Sequence, residues 1–131
     1  MVHAWVLARS DRPGAWSLFR EALEVDLGDV AGGTTHEGIH LAAMSSTVDL
    51  LQRAHTGIEI RDDVLRFNPR LPDKLKGLRI GIRYRAHLLM LELTHKELRL
   101  SSQKTDLPPI RIAFRDQLHE LAGGEIRTCP L

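Results

Sequence analysis

Hydrophobic and polar positions divide this chain near Gly57: before it apolar residues recur at helical spacing, after it they alternate. Val2, Ala4, Trp5, Val6, Leu7 and Ala8 predict a helix over residues 2–9 that is apolar on almost every side and has no N-cap. Such a helix belongs inside a larger structure, so the chain is expected to begin partway through an element. A second helix starts at Asp11, which can cap it, with Pro13 in its first turn. Trp16, Phe19 and Leu23 share one of its faces, and Gly28 ends it. Thr34-x-x-Glu37 is a capping-box pattern and predicts a third helix from about Thr35, through Leu41, Met44, Val48 and Leu51, to Gly57. Its small residues Ala42, Ala43, Ser45 and Ser46 let another helix approach closely.

Beyond Gly57 the pattern is that of strands. Ile58-Glu59-Ile60 and Val64–Phe67 form a hairpin around Arg61-Asp62-Asp63, and Asn68-Pro69-Arg70-Leu71-Pro72 is a rigid loop. Leu78, Ile80, Ile82 and Tyr84 alternate with Arg79, Gly81, Arg83 and Arg85, which gives a strand with one buried face. His87–Thr94 is a long strand that turns at His95-Lys96 into Leu98-Arg99-Leu100, and Ser101–Thr105 reads as a polar link. Ile110–Phe114, Leu118–Leu121 and Glu125-Ile126-Arg127 complete the set, with Gly123-Gly124 as the last turn. The fold class is therefore α+β, with helices over residues 1–56 and an antiparallel β-sandwich over 57–131.

Composition narrows the function classes. The 131 residues are 43% hydrophobic, enough to bury a core. With 18 basic against 17 acidic side chains, there is no electrostatic footprint for nucleic acid or an anionic membrane. Cys129 is the only cysteine and has no disulfide partner within the chain. The opening segment lacks a basic n-region and is too short to span a bilayer, so a soluble cytoplasmic protein is expected.

The chemistry concentrates in Gly32-Gly33-Thr34-Thr35-His36-Glu37-Gly38-Ile39-His40, for which three readings compete. His36-Glu37-x-x-His40 matches the H-E-x-x-H zinc motif, whose two imidazoles share one helical face while the glutamate polarises water. The extended motif fails, because Ala43 and Ser46 stand where glycine and histidine are required. A glycine-threonine loop leading into a helix is also an anion cradle: its backbone N–H groups and the helix dipole favour negative charge, and Thr34, Thr35 and His40 add side-chain donors. The third reading is a capped helix start with His40 packed inside. From residue types alone it is the more economical, since G-G-T-T is no Walker loop.

Four segments carry a resemblance that bears on this choice: Val2–Arg9, Gly32–Met44, Thr47–Arg53 and Phe67–Pro72, with Ile82-Arg83-Tyr84-Arg85 beside them. They closely resemble the C-terminal part of glycoside hydrolase family 65, which includes maltose, trehalose and kojibiose phosphorylases and related α-glucoside hydrolases. The resemblance implies the last helices of an (α/α)6 barrel followed by a small β-sandwich. It implies inverting cleavage of an α-glucosidic bond, with inorganic phosphate as nucleophile in phosphorylases and water in hydrolases. The substrates implied are phosphate and an α-linked glucose disaccharide, with no cofactor and no metal. Thr34, Thr35 and His40 are implied as phosphate contacts. The family usually has a small residue at the position of His36 and a glycine at that of Ala42. Its general-acid glutamate and sugar-binding aromatics lie upstream of the matched segments, and Glu21, Glu24 and Glu37 are not in the matching context. The expectation is a truncated fragment, inactive alone and either self-associating or completed by a companion chain. A non-catalytic folding or interaction module and a small zinc hydrolase remain the alternatives.

The remaining candidates have plainer readings. Arg79, Arg83 and Arg85 suit a solvated strand face. Trp5 and Trp16 fall at apolar helical positions and suit a core. His3, His55, His87, His95 and His119 have no spacing that argues for chemistry, and Cys129 has no matched base.

Overall fold

The structure, a computed structural model, describes residues 6–8, 10–25, 28, 36, 38 and 40–131. They form two compact units, Met1–His55 and Thr56–Leu131. The predicted helix over 2–9 lies largely outside the described residues. Within it Val6 and Leu7 are helical and Ala8 is buried.

In the first unit, helix α1 spans Arg12–Glu24. Asp11 caps it, its Oδ1 accepting from the Gly14 N–H at 3.0 Å, and Pro13 occupies the first turn, where a missing N–H costs nothing. Helix α2 spans Leu41–Thr56. Ala15 and Phe19 on α1, with Leu50 and Ala54 on α2 and Ala8, form one buried cluster, and Trp16 packs beside it with its ring 5.3 Å from that of Phe19. Trp16 is thus half-buried against the core, on the face its spacing implied.

The second unit is a sandwich of two four-stranded sheets. Its strands are β1 (Glu59–Arg61), β2 (Val64–Phe67), β3 (Leu78–Tyr84), β4 (His87–Leu93), β5 (Glu97–Ser102), β6 (Ile110–Phe114), β7 (Gln117–Leu121) and β8 (Ile126–Pro130). One sheet runs β1-β2-β6-β7 and the other β3-β4-β5-β8. Their inner faces meet in one core, with Leu65, Phe67, Ile112 and Leu121 from the first sheet and Leu91, Leu93, Leu98 and Leu100 from the second. Alternation along β3 exposes Arg79, Gly81 and Arg83 and turns Leu78, Ile80, Ile82 and Tyr84 inward, as period-2 patterning requires.

Four features differ from the sequence reading. The sandwich is not wholly antiparallel, because β2 pairs with β6 in parallel, Leu65 opposite Ile112. Arg85 is not on the strand face: with Ala86 it makes the two-residue β3–β4 turn, at φ +48° and +65°, and no glycine or asparagine marks it. Ser101 and Ser102 belong to β5 rather than to a link, because they pair with Met90 and Leu89. The last strand runs on to Pro130, paired along β5.

The join between α2 and β1 turns on Gly57, at φ +62°. A Cβ there would lie 2.3 Å from the Asn68 carbonyl oxygen, so only glycine fits. Around it the Asn68 N–H donates to the Thr56 carbonyl at 3.2 Å, and the Ile58 N–H donates to Thr56 Oγ1 at 3.1 Å.

Candidate functional site

Of the three residues implied as phosphate contacts, Thr34 and Thr35 lie outside the described residues, as does Glu37. His40 is described. Helix α2 does not begin near Thr35. Gly38 sits at φ +137°, a conformation no α-helix admits, and residues 38 and 40 are non-helical. The first helical residue is Leu41, and the His40 carbonyl accepts from the Met44 N–H at 3.1 Å. His40 therefore occupies the cap position that the sequence pattern assigned to Thr34.

This correction removes the geometric premise of the zinc motif. His36 is exposed, in a 3₁₀ turn, and Gly38 interrupts the chain before the half-buried His40. The two imidazoles are not one turn apart on a continuous helix, which H-E-x-x-H chemistry requires. Among the described residues, no group of three or more His, Cys, Asp or Glu side chains could hold a metal.

The start of α2 retains the features of an anion-facing helix end. Its first turn has no acidic side chain. The N–H groups of a first turn lack partners within their helix and lie at the positive end of its dipole. Hydroxyls line the following turn but bond back to the helix: Ser46 Oγ donates to the Ala42 carbonyl at 2.6 Å, and Thr47 Oγ1 to that of Met44 at 2.6 Å. Glu21 and Glu24 are exposed on α1, and Glu24 pairs with Arg20 at 3.3 Å, so neither sits in a cleft suited to a general acid.

The comparisons with known proteins coincide with this division. Residues 1–49 match the glycosyl hydrolase family 65 central catalytic domain, and residues 58–121 match the family 65 C-terminal domain. The chain belongs to glycosyl hydrolase family 65. An uncharacterized glycosyl hydrolase of Mycobacterium tuberculosis is 44% identical over 124 residues, which cover 95% of this chain and 9% of that protein. A kojibiose phosphorylase of Caldanaerobacter subterraneus is 33% identical over 95 residues, covering 72% of the chain and 12% of the relative. A 1,2-alpha-glucosylglycerol phosphorylase of Bacillus selenitireducens is 26% identical over 115 residues, 84% of the chain and 15% of the relative. A solved structure, a candidate kojibiose phosphorylase from the human microbiome, superposes with a TM-score of 0.85 at 18% identity, over 99% of this chain and 17% of that one. The chain thus spans a small fraction of the relatives it matches, and its fold, helices followed by two sheets, is that of the family 65 neighbour.

In the family 65 chain, several of the histidines and the cysteine to which the sequence assigned no chemistry have structural places. His87 is buried at the start of β4, with Nε2 3.1 Å from the Pro108 carbonyl and Nδ1 3.2 Å from Ser102 Oγ. Nε2 donates to that carbonyl, while Nδ1 faces Ser102 Oγ, whose single proton also reaches the Gln103 carbonyl at 3.3 Å. This histidine fastens the segment between β5 and β6 and is structural. His119 packs on Phe114 and His55 on Trp16, each with ring centres 5.9 Å apart. Cys129 is half-buried, and burial pushes its thiol up, partly opposed by Arg127, so it is a poor nucleophile. No helix among the described residues is long and apolar enough to cross a membrane.

Proposed function

We propose that this chain forms the C-terminal part of an α-glucoside phosphorylase or hydrolase. Residues 1–56 supply the last helices of its catalytic barrel and 57–131 its terminal sandwich. In this reading Thr34, Thr35 and His40 contact inorganic phosphate, the general acid is supplied from outside these 131 residues, and the chain alone does not cleave disaccharide. The observation that carries it is the match of residues 1–49, which include the glycine-threonine loop, to the family's central catalytic domain. The relatives' names support phosphate and an α-linked glucoside as substrates. The geometry supports it too: His40 stands at the N-terminus of a helix whose first turn has no acidic residue. A single cysteine supports a cytoplasmic setting.

The test is phosphorolysis by a complete family 65 polypeptide that carries this segment, with glucose 1-phosphate as the product measured. Kojibiose, trehalose and glucosylglycerol are the trial substrates. Losing one charge-assisted hydrogen bond, about 1.5–3 kcal/mol, raises KM for phosphate about 10–100-fold in Thr35→Val and His40→Ala, with KM for the disaccharide unchanged. An unchanged phosphate KM, or turnover by the 131-residue chain alone, overturns the reading. The second reading, a non-catalytic folding module, is favoured by the sandwich core, which closes on residues of its own unit. It predicts that the full polypeptide loses stability but not phosphate affinity when this segment is altered.

A further inference from the structure

We propose that the depression between the β6–β7 turn and the end of β8 is a binding site for one ring of a neutral sugar, built wholly from the sandwich. The depression measures about 410 Å³, which lies within the range of small-molecule sites. Pro69, Pro130 and Leu131 give it apolar walls, and Arg115, Asp116 and Gln117 border it with polar groups.

The backbone at this place is strained. Arg115 and Asp116 form a two-residue turn, since Phe114 and Gln117 pair across its base. Arg115 sits at φ +54° and Asp116 does not share that sign, the pattern of a type II′ turn. Glycine ordinarily takes the first central position of that turn, because a side chain is disfavoured there. The chain nevertheless holds Arg115 in place, its N–H donating to the Phe67 carbonyl at 2.9 Å. Arg85, at φ +48°, offsets a similar cost through its ion pair with Asp63. Arg115 has no such compensation: among the described residues, no ion pair or hydrogen bond engages its guanidinium. Strain that no contact within the chain offsets is a mark of ligand clamps.

The chemistry of the three polar groups selects the ligand. The Arg115 guanidinium only donates hydrogen bonds, the Asp116 carboxylate only accepts them, and the Gln117 amide does both. Among the described residues none of these side chains has a partner, so all three are available to a ligand. The charges of Arg115 and Asp116 cancel, which disfavours a lone anion or cation. Adjacent hydroxyls, each a donor and an acceptor, match the set, and the C–H face of a pyranose suits walls of proline and leucine. The choice of an α-glucoside as that sugar rests on the proposed function, whereas the preference for a neutral polyol does not. With one ring bound in a depression open to solvent, the dissociation constant should be on the order of 1–10 mM.

Titration of the full chain with maltose, followed by amide NMR, tests the proposal. The amides of Arg115, Asp116, Gln117 and Leu131 are expected to shift together and to saturate. Maltose should also slow alkylation of Cys129, whose side chain lines the depression. Asp116→Ala should raise the dissociation constant about tenfold or more, and Gln117→Ala about 2–10-fold. Arg115→Gly is the decisive variant. It removes the guanidinium and the strain together, so it should weaken maltose binding about tenfold or more while raising the thermal unfolding midpoint. A purely structural arginine would not separate binding from stability in this way. The proposal is overturned if these amides do not respond to maltose at about 100 mM, or if inorganic phosphate shifts them where maltose does not. It is equally overturned by an Arg115→Gly variant that binds maltose like wild type or is less stable. The readout is binding without turnover, so failure of phosphorolysis in a complete polypeptide, which counts against the proposed function, leaves a maltose response at these amides standing.

Discussion

Gly57→Ala should unfold the sandwich far more readily than an alanine at any exposed strand position. Two costs add there. At φ +62° an L-residue loses about 1–2 kcal/mol relative to glycine. The new Cβ would also lie 2.3 Å from the Asn68 oxygen, 2.7 Å from its carbonyl carbon and 2.8 Å from its nitrogen, all backbone atoms that cannot rotate aside. To reach ordinary contact, Asn68 must retreat by about 1 Å, which breaks its N–H bond to the Thr56 carbonyl, at 3.2 Å in the native state. That bond contributes about 0.5–1.5 kcal/mol. The total is roughly 1.5–3.5 kcal/mol, which for a unit of this size lowers the thermal midpoint by at least about 6 °C. The assay is thermal unfolding followed by far-UV circular dichroism. Gly81→Ala is the control, expected at or above the wild-type midpoint because neither its φ nor its surroundings oppose a side chain. A Gly57→Ala midpoint within about 2 °C of wild type would refute the reasoning.

His87→Leu leaves the Pro108 carbonyl without its donor in a buried place and should cost about 1–3 kcal/mol, with faster amide exchange in the segment between β5 and β6 than in β6 itself. Cys129, its thiol raised by burial, should react with an alkylating agent at neutral pH more slowly than a free cysteine. The sign for stability follows from the same shift. The folded state holds the thiol proton more tightly, so the contribution is complete below the unfolded thiol pKa and is lost as pH rises through the folded one. Cys129→Ser should flatten that alkaline decline in unfolding experiments. His36→Ala should leave both bound zinc and stability unchanged, to within about 0.5 kcal/mol, because the side chain is exposed and Gly38 separates it from His40. Elemental analysis and thermal unfolding check it.

Helix α1 and the buried faces of the strands were legible in the sequence because each is set by local periodicity. Asp11 with Pro13 fixed the start of α1, and the alternation from Leu78 to Tyr84 fixed which side of β3 is buried. What escaped depends on partners distant in sequence. Ser101 and Ser102 look like a linker until Met90 and Leu89 are seen opposite them. The parallel pairing of β2 with β6 joins segments more than forty residues apart, and no local pattern marks it. The Arg85-Ala86 turn uses residues that rarely adopt positive φ, so turn chemistry pointed past it.

The start of the helix at the candidate site was misread for a different reason, one that bears on how a phosphate loop could be built here. Thr34-x-x-Glu37 satisfies the capping-box pattern, but a capping box requires the next residues to wind helically, and Gly38 at φ +137° does not. A glycine in that conformation leads into the helix instead of belonging to it, so the free N–H groups of α2 begin after His40. The pattern placed the threonines in the first turn and His40 one turn further along. The structure places His40 at the helix end, upstream of those N–H groups. If Gly38 exists to make that placement, an L-side chain there should disturb His40 through the backbone, since nothing among the described residues lies within 4 Å of an added Cβ. Gly38→Ala therefore isolates backbone conformation from packing. In a complete family 65 polypeptide it should raise KM for phosphate while leaving the unfolding midpoint of the sandwich in place. An unchanged phosphate KM would mean that the bend before α2 has no part in holding His40 for phosphate.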